Sequence, residues 1–185
     1  MKKNKMEKRI FGFIGMIASG KDTAADYLVK NYQAQQIKFS SSLTDVLQRL
    51  YIPTIRDNYQ ILSKSLRENF GQDLFSKIVA SDVNQAQAEI IVVDGVRRPM
   101  DIENLKNIPG FKLVAIDVDA KVRFERIKNR KEKQDDATKT WEEFQAEDKA
   151  EAEIAIPELM QQADIKIDNN GSVEDLYKQL DKLIK

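Results

Sequence analysis

Arg9-Ile10-Phe11-Gly12-Phe13-Ile14-Gly15-Met16-Ile17-Ala18-Ser19-Gly20-Lys21-Asp22-Thr23 decides the fold. Four residues separate Gly15 from Gly20, and Lys21 follows at once. This is the spacing of a phosphate-binding loop, with Asp22 standing where the general pattern has Ser or Thr. Glycines permit the backbone angles that turn consecutive N–H groups inward around an anion. Lys21 adds a charge for the outer phosphates. The stretch before the loop reads as a short buried strand. Asp22 to Val29 reads as a helix with Ala24, Ala25, Leu28 and Val29 on one face. Strand, turn and helix in this order aim the positive end of the helix dipole at the anion. The predicted phosphate contacts are Gly15, Ala18, Ser19, Gly20, Lys21, Asp22 and Thr23.

The 185 residues suit one compact domain, taken as 1–185, and balance 30 basic against 30 acidic side chains. Zero net charge gives no field for nucleic acid, and no apolar run is long enough for a membrane span. Lysines ahead of Ile10 to Ala18 resemble a secretory leader, but two glycines interrupt that run. The chain has no cysteine and no histidine. That excludes disulfides, thiol chemistry, Cys/His zinc sites and imidazole bases, and it favours a cytoplasmic protein. Acid–base work falls to Asp, Glu, Lys or Tyr.

Strand and helix patterns alternate along the rest of the chain. Strands are expected at 37–39, 89–94, 111–118 and 163–167. Helices are expected at 42–50, 57–69, 74–81, 100–107, 120–131, 141–162 and 173–184. Such alternation implies right-handed crossovers and a mainly parallel sheet between helices, an α/β three-layer fold. Residues 41–83 form a helical insertion. Residues 131–140 are polar and read as an exposed loop.

Several residues fall where open parallel sheets bind ligands, beyond the carboxyl ends of the strands. Asp94 ends a strand and is a candidate for positioning magnesium or for acting as a base. Capping the following turn is an equally good reading. Arg97 offers a planar fork for a phosphate. Ser40 follows the second strand, where it either faces ligand or caps a helix. Arg123, Arg126 and Arg130 form one stripe of a helix beside an apolar stripe of Ala120, Phe124 and Ile127. Asn169-Asn170-Gly171-Ser172 reads as a turn and a helix cap. Trp141 and Phe144 read as packing anchors. In the insertion, Leu43, Val46, Leu47, Leu50 and Tyr51 at helical spacing read as core, as do Ile61, Leu62, Ser65 and Leu66.

From about Ile10 onward the chain resembles the P-loop nucleoside and deoxynucleoside monophosphate kinases and their dephospho-CoA kinase relatives. The resemblance rests on Gly20-Lys21-Asp22-Thr23, Leu66-Arg67-Glu68-Asn69-Phe70-Gly71, Val93-Asp94-Gly95-Val96-Arg97, the arginine-rich helix and Asp168-Asn169-Asn170-Gly171. It implies a P-loop NTPase-type fold with an acceptor-binding insertion at 41–83 and a lid at 131–140. ATP is the implied donor and Mg2+ the implied cofactor, held by Thr23, Asp22 and Asp94 directly or through water. Thr23 would replace the missing loop hydroxyl, while Asp22 either holds a metal-bound water or favours the helix start by its charge. By resemblance Lys21, Arg126, Arg130 and Asp94 are catalytic, and Asn170 and Gly171 lie on the adenine side. Ser40, Arg67 and Arg97 bind the acceptor, with Arg56 a weaker candidate.

The expected partner is a small nucleotide acceptor, first a nucleoside or deoxynucleoside monophosphate, with dephospho-CoA as the nearest alternative. A nucleotide-operated binding switch with weak ATPase activity is the competing class. The oligomeric state is left open by the sequence.

Overall fold

Six consecutive residues of strand β1 (Arg9–Ile14) run through the middle of the molecule because all but the first are buried, and only a central strand covers both faces. The fold is seen in a computed structural model that describes residues 8–130, 137–149 and 155–185, the Arg130 side chain excepted. The other strands are β2 (Gln35–Lys38), β3 (Ile90–Asp94), β4 (Phe111–Asp117) and β5 (Ile165–Asp168). Their order is β2-β3-β1-β4-β5, and every neighbouring pair is parallel. Ile10 lies opposite Ile91 on one side of β1 and opposite Phe111 on the other.

The helices are α1 (Lys21–Tyr32), α2 (Ser41–Arg49), α3 (Arg56–Phe70), α4 (Leu74–Gln85), α5 (Ala120–Arg130), α6 (Trp141–Asp148), α7 (Ile156–Gln161) and α8 (Val173–Ile184). Alternating strand residues divide the core into two layers. Ile10, Ile14, Ile91 and Val93 pack with Phe75, Val79 and Val83 of α4 and Leu159 of α7. Phe11, Phe13, Val92 and Val114 pack with Ala24, Ala25 and Leu28 of α1 and Leu176 and Leu180 of α8. The parallel sheet between two helical layers is the α/β fold expected from the sequence.

The departures have local causes. The expected helix at 100–107 is a short 3-10 turn, Pro99–Asp101, followed by irregular turns, because the Asp101 side chain accepts from backbone N–H groups ahead of it. The single helix expected over 141–162 is two, α6 and α7, with 150–154 outside the described residues. Strand β2 starts two residues early and β5 two residues late relative to expectation.

The insertion is less buried than its periodicity suggests. Leu43 and Leu47 reach the core, but Val46, Leu50 and Tyr51 are exposed, Tyr51 at 88%. Tyr51 ends the helix in a left-handed conformation (φ 59°), which turns it off the buried face. Helix α3 has no fully buried residue. Leu62 and Leu66 pack against the core edge, while Ile61 is 67% exposed.

Most of the expected lid, residues 131–136, lies outside the described residues. Its described end is anchored. Lys139 is buried and donates to both carboxylate oxygens of Glu147 at 2.8 Å. Thr140 and Glu143 cap α6 reciprocally. Phe124, Trp141 and Phe144 form an aromatic cluster between α5 and α6, with ring centroids 5.2 to 5.5 Å apart. Trp141 and Phe144 are thus packing anchors.

Leu28 fills the layer between α1 and the sheet, whereas its neighbour Val29 is 40% exposed. Leu28→Ala is expected to cost about 2–5 kcal/mol of stability and Val29→Ala under about 1 kcal/mol, read from urea unfolding midpoints.

Candidate functional site

The turn between β1 and α1 is wound tightly. Ala18 and Gly20 both take left-handed backbone angles, φ 60° and 96°, and Gly20 is the residue from which α1 starts. The Ser19 N–H donates to the Met16 carbonyl at 3.1 Å and closes the loop. A Cβ on Gly15 would lie 2.5 Å from both the Ile116 carbonyl and the Ser19 hydroxyl, and one on Gly20 would lie 2.5 Å from the Asn169 amide. Both glycines are therefore required by close approach, and Gly20 also by its angle. The Ser19 hydroxyl is buried in this turn with no hydrogen-bond partner among the described residues. The Lys21 ammonium folds back and donates to the Gly15 and Met16 carbonyls at 2.7 and 3.1 Å. The start of α1, the tight turn and a lysine meet at one mouth, an arrangement whose charge suits an anion.

Asn169 ties this cradle to the far side of the sheet. It follows β5, is buried, and its amide donates to the Ser19 carbonyl at 2.8 Å. Its own carbonyl accepts from the Arg126 guanidinium at 2.7 Å. Arg126 thereby reaches the loop through one residue, and partial burial lowers its pKa from the ordinary arginine value. Asn170 turns the other way. Its side chain accepts from the Asp119 N–H at 2.8 Å and donates to Asp168 at 2.7 Å. Gly171 follows, ahead of Ser172, whose hydroxyl accepts from Asp175 N–H at the start of α8. Arg130 ends α5, and its side chain lies outside the description. The structure thus places Asn169, rather than Asn170, against the loop. The sequence signal for it was present in the Asn-Asn-Gly turn but did not distinguish the two asparagines.

Asp94 ends β3, beside the β1 turn. Burial raises its pKa above the ordinary carboxylate value, the negative charge of Asp22 raises it further, and Lys38 and Lys21 oppose both effects. Asp94, Asp22 and Lys21 are therefore within electrostatic reach of one another at the carboxyl end of the sheet. Thr23 stands exposed in the first turn of α1. Asp22, Thr23 and Asp94 are hard oxygen donors, and they fit a cation such as Mg2+ that keeps several waters. Among the described residues no three Asp, Glu, His or Cys side chains converge as a closed metal cage.

On the other side of β3 the arginines part company. Arg97 is exposed in the loop after the strand. Arg67 of α3 is largely withdrawn: its guanidinium meets Asp101 at 3.0 Å, donates to the Gln72 carbonyl at 2.9 Å, and lies 4.7 Å over the Phe75 ring. Arg56, at the start of α3, is exposed. Ser40 precedes α2, but its hydroxyl makes no capping bond; its carbonyl accepts from the Thr44 N–H and hydroxyl at 2.8 and 2.9 Å. Arg123, left open by the sequence, is buried against Phe144 and forks onto Asp148 at 2.8 and 2.6 Å. It also donates to the Ile17 carbonyl of the loop at 3.3 Å.

The folded chain holds the Asp94 proton more tightly than the unfolded chain does. Stability therefore falls as pH rises from the ordinary carboxylate value, about 4, and the penalty persists at neutral pH. Asp94→Asn, neutral at every pH, is expected to melt above the parent at pH 7. That advantage should vanish as pH drops below about 4. Melting curves of both proteins across pH check this, and an Asp94→Asn that melts lower at pH 7 contradicts it.

Known proteins are similar to this chain in sequence or in fold. The UPF0200/UPF0201 protein of Archaeoglobus fulgidus is 28% identical over 183 residues, which cover 97% of this chain and 56% of that protein. The chain thus spans about half the length of that relative. The UPF0200 protein of Methanoculleus marisnigri is 25% identical over 177 residues and 95% of each chain. Among solved structures, shikimate kinase from Bacteroides thetaiotaomicron matches with a TM-score of 0.60 at 13% identity, over 95% of this chain and 98% of that one. A sugar kinase from Janibacter sp. HTCC2649 matches with a TM-score of 0.57 at 14% identity, over 96% and 94% of the two chains. At such identities the likeness shows a P-loop kinase-like fold. A family model described as an AAA domain, AAA_18, matches residues 12–172, and the chain belongs to that family.

Proposed function

We propose that this protein is an ATP-dependent phosphotransferase that moves the γ-phosphoryl group to a small nucleotide acceptor, a nucleoside or deoxynucleoside monophosphate. One observation carries the reading. The cradle of Gly15 to Thr23, with Lys21 across its mouth, shares the carboxyl end of two adjacent parallel strands with Asp94. Phosphoryl transfer needs little covalent chemistry from a protein and depends on positioning and charge, which suits a site without histidine or cysteine. The names of the structurally similar chains, a shikimate kinase and a sugar kinase, support phosphotransfer but not a nucleotide acceptor.

In this reading the loop amides and Lys21 hold the donor phosphates. Thr23, Asp22 and Asp94 would hold Mg2+, directly or through water, and the ion would offset charge on the donor phosphates. Asn170 and Gly171 border the adenine. Ser40, the insertion at 41–83 and the loop after β3 border the acceptor, with Arg97 exposed there and Arg67 drawn back onto Asp101. Arginine suits a monophosphate because its planar fork matches the phosphate oxygens. Arg126 and Arg130 act on the transferring group, Arg126 from its seat on the Asn169 carbonyl. A chain without cysteine agrees with a cytoplasmic setting.

Lys21→Ala is expected to keep the fold and lower turnover about a hundredfold or more, since a preorganised charge on the developing phosphate oxygens is lost. Near-normal turnover by a folded Lys21→Ala protein, in a coupled assay with a panel of monophosphate acceptors, removes the assignment.

Arg126→Ala is expected to lower kcat more than it raises the KM for ATP, because contacts to the transferring group strengthen at the transition state. Equal kcat for parent and variant returns Arg126 to a purely structural bond with Asn169.

A further inference from the structure

Asp101 is 2% exposed and gathers three donors: the N–H groups of Arg97 and Arg98 and the Arg67 guanidinium, each at 3.0 Å. A buried carboxylate requires such partners, and it receives them from two separate parts of the chain. The backbone pair comes from the loop that leaves β3 just after Asp94. The guanidinium comes from α3, in the insertion. Arg67 in turn is held by the Gln72 carbonyl, by a long contact to Ser63 Oγ at 3.5 Å, and by the Phe75 ring, itself in the core. Its side chain is 11% exposed. Its donors are committed inward, while Arg97 stands exposed on the loop that Asp101 shapes.

We infer that Asp101 is a positioning residue of the acceptor side, and that Arg67 acts through it: the pair locks the Arg97–Arg98 turn so that Arg97 is the arginine presented to the acceptor phosphate. This rests on the phosphotransferase reading and divides the labour between two arginines that the sequence makes equivalent. Asp101 links the insertion to the β3 loop by a hydrogen-bonded ion pair, so the acceptor side is set by the packing of α3 on α4 as well as by its own loop. No proton or bond changes hands at Asp101. Its contribution is a fixed turn and a withdrawn arginine. Arg67 supplies the fork geometry that a lysine lacks, because one ammonium cannot reach Asp101, the Gln72 carbonyl and Ser63 in the same plane.

The test is a double-mutant cycle on the intact chain. KM for the best monophosphate acceptor, KM for ATP and the melting temperature are measured for the parent, Arg67→Lys, Asp101→Asn and the double variant. Each single change is expected to raise the acceptor KM about tenfold with the ATP KM within about twofold, and the double variant to be no worse than the worse single one. Effects that multiply in the double variant overturn the inference, because Arg67 would then meet the acceptor independently of Asp101. Unchanged acceptor KM in both single variants, or equal rises for ATP and acceptor, overturns it as well.

If Asp101→Asn does not fold, Arg67→Lys and Arg67→Ala decide the matter. Similar acceptor KM values in the two support a role through the fork, and rescue by lysine supports direct charge on the phosphate and overturns it. A parent that phosphorylates no acceptor overturns the phosphotransferase reading and this inference together. An active parent with multiplicative variants overturns this inference alone.

Discussion

Strand β1 is hydrogen-bonded on both edges, to β3 on one side and β4 on the other. Its chain therefore has to leave the sheet at the point where the strand order changes direction. In an open parallel sheet that point is a crevice, because the neighbouring loops diverge from it to opposite faces. The turn from Gly15 to Gly20 fills the crevice, and α1 folds back from it onto the Phe11, Phe13 and Val92 layer. The adjacency of β1 and β3 also brings Asp94 beside the loop. A carboxylate there is desolvated and faces a second one, Asp22. That charge arrangement costs folding stability and suits a cation, as expected where function and stability pull apart.

Three bonds extend the cradle across the molecule. Asn169 holds the Ser19 carbonyl, Arg126 holds the Asn169 carbonyl, and Arg123 holds the Ile17 carbonyl while forking onto Asp148 of α6. The loop backbone is thus fixed by side chains from the turn after β5, from α5 and, at one remove, from α6. Preorganisation of this kind lets amides meet an anion without first rearranging. On the other side of β3, the ion pair of Arg67 with Asp101 does the corresponding work for the loop after that strand.

Much of this was legible because local signals agreed. The Gly15 to Thr23 spacing located the tight turn between β1 and α1, the apolar runs located the strands, and α8 spans the residues its period predicted. What escaped the sequence was tertiary choice. Helical spacing marked Val46, Leu50 and Ile61 as core, but the insertion has only one covered side and leaves them outside. An arginine in a family-like stretch pointed to substrate, while its actual partner, Asp101, lies 34 residues away. The sequence held a hint, since Asp101 follows Arg98 at capping-box spacing with Pro99 between. Asn169 and Asn170 differ in role only because one faces the loop and the other faces Asp119, which no spacing rule resolves.

The proposed activity is delivery of a phosphoryl group from the cradle to a small acceptor. It is tested most directly by incubating the protein with ATP labelled at the γ-phosphate, Mg2+ and a panel of nucleoside and deoxynucleoside monophosphates, then following the label. Label is expected in a nucleoside diphosphate, formed faster than inorganic phosphate is released. Label found only in inorganic phosphate, at a rate no acceptor changes, contradicts it and leaves a nucleotide-operated switch in its place.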